Sequence, residues 1–209
     1  MAELLVDTQG PPATPSAGTL FLFPHSSSKQ WSSKDDAGKV LTIPGIKNVS
    51  VADQVVGAAD TYLVGSALAV PSHGLQAGTI LKWRIACAKT AAGTATPVWI
   101  VRVGVNGTTA DTARLTFTGP AQTAAIDAAW IEITVVVRTV SATGVITGLL
   151  SLAHNLAATG FANIGSPTLV VTSSAFDTTV ANLFFGVSVN PGASGSWTHT
   201  IVKAEALNL

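Results

Sequence analysis

The stretch KQWSSKDDAGKVLTI, residues 29–43, holds two adjacent carboxylates, Asp35 and Asp36, close to lysines and a tryptophan. Paired acids can do general acid/base work or hold a cation. Glycoside hydrolysis, for one, needs two carboxylates about 5–10 Å apart across a cleft. Here the flanking runs are strand-like and Gly38 follows, a pattern in which Asp favours a turn and Gly supplies positive φ. A hairpin tip is therefore expected in place of an acid pair. Among the remaining acids, Asp111, Asp127, Glu132 and Asp177 are scattered. His25, His73, His154 and His199 are isolated and never stand at i, i+4 or another zinc-like spacing. His154 ends the run LLSLAH and His199 alternates with Trp197 and Ile201, which suits satisfied, half-buried histidines. His73 lies in the turn PSHGLQAG and suits solvent or a subunit contact. No serine sits in a G-x-S-x-G elbow. The glycines of GVNGTTADT and NPGASGS lack the strand–loop–helix context and the lysine of a phosphate cradle, so they read as turns. The sequence thus points to no catalytic residue, no cofactor-binding residue and no metal site, and the protein is expected not to be an enzyme.

Tryptophan is the one unusual resource. Trp83, Trp99, Trp130 and Trp197 each fall at the start or middle of a strand-like run. An exposed cluster would make a platform for sugar rings. Trp83 and Trp99 alternate with charged or polar residues in phase with a core, so core or subunit interface is the expectation. The single cysteine, Cys87, excludes an internal disulfide framework and a cysteine-based zinc site, and within LKWRIACAK it reads as an inert core thiol.

These residues must be positioned by strands. Leu81, Trp83, Ile85 and Cys87 share one side of TILKWRIACAK. Trp99, Val101, Val103 and Val105 do so in PVWIVRVGV, Leu115 and Phe117 in ARLTFTG, and Ile131, Ile133, Val135 and Val137 in WIEITVVVRTV. A period of two marks strands with one face buried. Further strand candidates are 61–70, 143–154, 167–173, 182–190 and 196–207, separated by the turn sequences NGTT, SATG, NIGS and NPGASG. No helical period lasts more than about two turns, apart from a short candidate near GPAQTAAIDAA. Eight or nine such strands without helices predict an all-β chain, an antiparallel jelly-roll-like β-sandwich, with an immunoglobulin-like sandwich as the alternative.

Ahead of this lie an extended, Pro-rich arm at residues 1–18 and a small β-meander built from TLFLF, KQWSS and KVLTI. Such a meander is marginal alone and should pack on a partner or on its own copies. Residues 44–58 read as a junction, strand or short helix, where Ile46, Val49, Val51 and Val55 could face a symmetry mate. The division expected is 1–57 for arm, meander and junction, and 58–209 for the sandwich.

Only 11% of the 209 residues are charged, with 11 Lys+Arg against 11 Asp+Glu, and 47% are apolar. Ordinary soluble proteins carry roughly 25% charge, so this surface suits a protein held in a fixed assembly. No run of Lys or Arg is present to neutralise phosphates or headgroups, which argues against nucleic-acid and membrane partners. The N-terminus MAELLVDTQG lacks the basic and long apolar regions of a signal peptide, so synthesis and first folding are expected in a cytoplasm.

Several blocks resemble a known family. GTILKWRIACAKTAAGTATPVWIVRVGVNGTTADTARLTFTGPAQTAAIDAAWIEITVVVRT, LAHNLAATGFANIG and VSVNPGASGSWTHTIVKAEALN resemble a β-sandwich module of virion structural proteins of tailed bacteriophages. PPATPSAGTLFLFPHSSSKQWSSKDDAGKVLTI is similar to a phage motif found at the base of head fibres, tail fibres and decoration proteins. The resemblance implies a homotrimer docked on capsid or tail proteins by its N-terminal segment, with Leu20, Phe21, Phe23, Trp31, Val40 and Ile43 as anchoring contacts. It implies a location in the virion after assembly in a host bacterial cytoplasm. The chain lacks the repeated shaft or coiled-coil heptads of long fibres, which favours a head fibre or capsid decoration protein. The alternative is a tail fibre or tail-tip protein that binds a host surface glycan, for example through SATG, GFANIG and NPGASG.

Overall fold

The computed structural model describes residues 13–18, 20–24, 31–35, 38, 40–43, 46–70, 74–193 and 195–208. Among these residues there are strands and no helix. In chain order the first seven strands are short: β1 (Leu20–Pro24), β2 (Trp31–Asp35), β3 (Val40–Ile43), β4 (Ile46–Ser50), β5 (Gln54–Val56), β6 (Thr61–Tyr62) and β7 (Leu68–Ala69). The rest carry the sandwich: β8 (Ile80–Lys89), β9 (Val98–Gly104), β10 (Thr112–Thr118), β11 (Asp127–Thr139), β12 (Val145–His154), β13 (Thr168–Thr172), β14 (Phe184–Asn190) and β15 (Trp197–Leu207).

Alternation sets the long strands. In β8 every second residue is buried, which puts Leu81, Trp83, Ile85 and Cys87 on one face. Trp99, Val101 and Val103 of β9, Leu115 and Phe117 of β10, and Ile131 to Val137 at every second position of β11 behave alike. Val105 departs from its predicted face: β9 ends at Gly104, and Val105 is exposed in the following loop.

Two antiparallel sheets bury these faces against each other. The larger has the order β13-β12-β11-β8-β15-β4, with β5 also on β15; the smaller runs β10-β9-β14-β6, with β7 on β14. The facing sets β4-β15-β8-β11 and β6-β14-β9-β10 make an eight-stranded jelly roll, and the hairpin β12–β13 extends one edge. Trp83, Trp99 and Trp197 are fully buried between the layers. The indole N–H of Trp83 donates to the Ser66 carbonyl at 2.7 Å and that of Trp197 to Gln122 Oε1 at 3.0 Å. Trp197 packs on Trp99 and Phe161 with ring centroids 5.5 and 4.9 Å away. Gly148 lets the layers approach: a Cβ there would sit 2.6 Å from Leu115 and 2.8 Å from Phe117.

Strands β1, β2 and β3 form a separate three-stranded meander, as the sequence predicts. Its second turn contains Gly38 at φ +81°, and Thr14 Oγ1 would lie 3.3 Å from a Cβ at Gly38. Arm residues near Thr14 and the buried Pro15 therefore run against the hairpin tip. Asp35 closes β2, whereas Asp36 lies outside the described residues.

Residues 46–56, expected as a junction, are strands β4 and β5 on the edge of the larger sheet, paired with β15 from Ala206↔Ile46 to Trp197↔Val56. The expected boundary at 57/58 thus falls between two stretches that both pair within the sandwich. The short helix proposed near GPAQTAAIDAA is also absent: residues 119–126 form a loop and Asp127 opens β11.

Candidate functional site

The register lines the outward residues of the larger sheet into rows. One row runs Thr168, Ser151, Glu132, Arg84, Lys203, Val49, and the next runs Val170, Leu149, Thr134, Lys82, Glu205, Lys47. The centre of the face is charged, with Arg84, Lys203, Lys82 and Lys47 against Glu132 and Glu205, so it is laced by ion pairs and keeps a positive balance. Arg84 pairs with Glu132 at 3.3 Å and with Glu205 at 3.2 Å, and Lys203 reaches Glu205 at 3.4 Å. These partly exposed pairs contribute at most about 1 kcal/mol each; their effect is to fix a polar band.

On either side of that band the face turns aliphatic. Toward β13, Val136, Leu149 and Val170 are exposed and, with Thr134, Thr147 and Thr172, line a shallow depression of about 440 Å³. Toward β4 and β5, Val49, Val51 and Val55 are 60%, 77% and 72% exposed. A third bare spot is Trp130, which stands in a row between Ala153 and Ala86, with Ile201 beyond. Its alanine neighbours leave the ring 43% exposed. Three of the four sandwich tryptophans are core and Trp130 is surface, so no exposed tryptophan cluster forms among the described side chains.

The edge of the face is open as well. Leu152 N–H donates to the Pro167 carbonyl and Ser173 N–H to the Ile146 carbonyl, which sets the phase of the β12–β13 ladder. Thr168, Val170 and Thr172 accordingly turn their backbone groups away from β12. This edge carries no charged residue, although native edges are usually guarded by charge, proline or a bulge.

The polar residues weighed as chemistry have structural work. His154 Nδ1 lies 2.8 Å from Asp127 Oδ2, both side chains buried, and its Nε2 faces the Ile164 carbonyl at 3.3 Å. A relay would need a hydroxyl where that carbonyl stands. Asp127 also accepts from Ala128 N–H and Phe161 N–H, so the pair brackets the 155–166 loop. His199 differs from the satisfied histidine expected: it is fully buried, and its ring has no hydrogen bond of good geometry, the Gln54 backbone being its one polar neighbour among the described residues. Burial pushes its imidazole down to about 4. Cys87 is buried and its thiol is pushed up by desolvation, with Asp127 adding to the rise. Asp111 accepts from Asn106 and Gly107 N–H at 3.0 and 2.7 Å and closes the 105–111 turn. Among the described residues no group of three His, Cys, Asp or Glu could hold a metal. His25 and His73 lie outside the described residues.

Sequence reasoning missed Gln122. It is buried in a loop and ties three segments together: its amide donates to the carbonyls of Ala95 at 2.9 Å and Pro191 at 2.6 Å, and it accepts from Trp197. The loops it joins, 90–97, 119–126 and 191–196, contain no charged residue, and neither does 155–166 beside them. GFANIG and NPGASG lie at this end. SATG lies at the opposite end, where Ile46 enters the sheet beside Ala206.

Of the expected anchoring residues, Phe21 is 44% exposed and Phe23 is buried within the described chain. Leu20, Trp31, Val40 and Ile43 lie on β1, β2 and β3, where Trp31 is opposite both Pro24 and Ile43; their side chains fall outside the described part. Leu22, on the other face of β1 from Phe21, is 61% exposed.

No family model and no curated protein matches the chain. Among solved structures it is similar to "Structure of infectious bursal disease virus Gx strain", at 10% identity and a TM-score of 0.20. The match covers 84% of this chain and 47% of that one, so the chain spans about half the length of that protein. A likeness this slight carries no functional argument.

Proposed function

We propose that the protein is a non-enzymatic structural component of a bacteriophage virion: a homotrimeric head fibre or capsid decoration protein, held by its N-terminal segment with the sandwich projecting. The observation that carries this reading is the outer face of the larger sheet, with exposed aliphatic residues on both sides of an ion-paired band and an open edge along β13. A chain with 11% charge and such a face is suited to standing among copies of itself. The resemblance of the KDDAG stretch and of the sandwich block to phage virion proteins supports the particle as its setting.

The sandwich strands do not pair with β1, β2 or β3, so removing residues 1–43 should leave a folded trimer that no longer attaches to particles. Co-sedimentation of full-length and truncated protein with particles lacking the protein tests this. Loss of attachment with the trimer intact supports the anchor, and undiminished attachment contradicts it. Attachment at the tail tip together with reproducible glycan-array binding would favour the tail-fibre alternative.

A further inference from the structure

We infer that copies of this chain join head to tail, with the Val49–Val51–Val55 strip of one copy seated on the Val136–Leu149–Val170 strip of the next. The inference rests on the homotrimer reading and adds the surfaces that make it.

Val49 and Val55 lie on the outward side of the same sheet as Val136, Leu149 and Val170, and Val51 stands exposed in the link between β4 and β5. Val49 stands opposite Lys203 and Val55 opposite Thr198 on β15, both outward positions, while Val170, Leu149 and Thr134 share a row on the other side of the charged band. Val51 is 77% exposed and Val170 is 65% exposed. The strips differ in sequence and position, and the band between them separates them within one copy. A contact that buries one on the other is therefore heterologous, and a heterologous contact closes into a ring of three when each copy is turned by a third of a revolution from the last.

Charge supports the same partnering. Arg138 lines the depression beside Val136 and is exposed, without an ion-pair partner among the described residues. Asp53 lies between Val51 and Val55, also exposed and without an ion-pair partner among the described residues. The arginine edges one strip and the aspartate the other, away from the exposed Lys47 at the opposite end of the Val49 strip, so Arg138 of one copy can meet Asp53 of the next. The uncharged β13 edge, a hazard on a free monomer, is then covered in the ring.

The test is the mass in solution of the full chain and of Val51→Lys and Val170→Lys, by sedimentation velocity. Both positions are exposed, so each variant should keep the wild-type circular dichroism and melt cooperatively, at a temperature lowered only by the loss of assembly. Wild type should be a closed trimer and each variant alone a monomer. An equimolar mixture of the two variants should give a two-copy species and nothing larger, because one intact strip remains on each partner and the outer strips are spoiled. If either variant alone formed a stable dimer, the contact would be isologous and the inference overturned. If both variants stayed trimeric, the inference would fail and the trimer reading would stand; a monomeric wild type would overturn both. A second set guards against misfolding: Arg138→Asp and Asp53→Arg should each weaken assembly about tenfold, and the double variant should recover it. Failure to recover would contradict the partnering of the two strips.

Discussion

His199 shows how a polar residue can sit in a core at a cost. It lies beside Trp197, 6.2 Å between ring centroids, and its nitrogens are poorly satisfied, with only the Gln54 backbone to offset burial. Its folded pKa of about 4 lies below the ordinary value of 6.5, so below pH 6.5 the unfolded chain binds the extra proton more readily. Stability is full above about pH 6.5 and falls as the pH drops toward 4, by an amount on the order of 3 kcal/mol. His199→Leu should remove that pH dependence and add about 1–2 kcal/mol at neutral pH by deleting a poorly satisfied polar group. Urea denaturation at pH 7.5 and pH 5 measures both, and an unchanged difference between the two pH values would contradict the assignment. Trp130 makes the complementary case of an apolar group in water. Its emission should be red-shifted in a dissociated copy relative to the three core tryptophans. Trp130→Phe would remove that red component, and an unaltered spectrum would contradict its exposure.

At the scale of elements, the long strands were legible because period-two alternation is imposed by burial of one face, as in β8, β9 and β11. Residues 46–56 were not, because an edge strand exposed on its outward side alternates weakly, and Val49, Val51 and Val55 mimic a core pattern while facing outward. The 119–126 segment suggested a helix by its alanines, yet Gln122 binds it to two neighbouring loops, a long-range constraint that local propensity does not carry. The candidate surface was legible only in part. Low charge raised the expectation of an assembly without locating a surface, and the two strips became visible when the register placed them on opposite sides of the Arg84–Glu132–Glu205 band. Gly148 is the element-scale test of the sandwich packing. Gly148→Val would drive a branched side chain into Leu115 and Phe117 and should cost about 1–3 kcal/mol or more. Thermal melting measures this, and an unchanged midpoint would mean the two layers do not approach there.

At the scale of the whole molecule, the jelly roll has two unlike ends. One receives β4, downstream of the meander and arm, and the other presents four loops without charge, locked by Gln122 and the Asp127–His154 pair. That polarity suits attachment at one end and exposure at the other, and the larger sheet is the face proposed for lateral contacts between copies. The central claim is that this chain stands on a virion as a trimer. A cryo-electron microscopy map of the intact particle tests it most directly. The account predicts density for three sandwiches around a three-fold axis on the head, with the 155–166 and 191–196 loops outermost. A map in which these sandwiches are absent from the particle, or stand on it as isolated single copies, would contradict it.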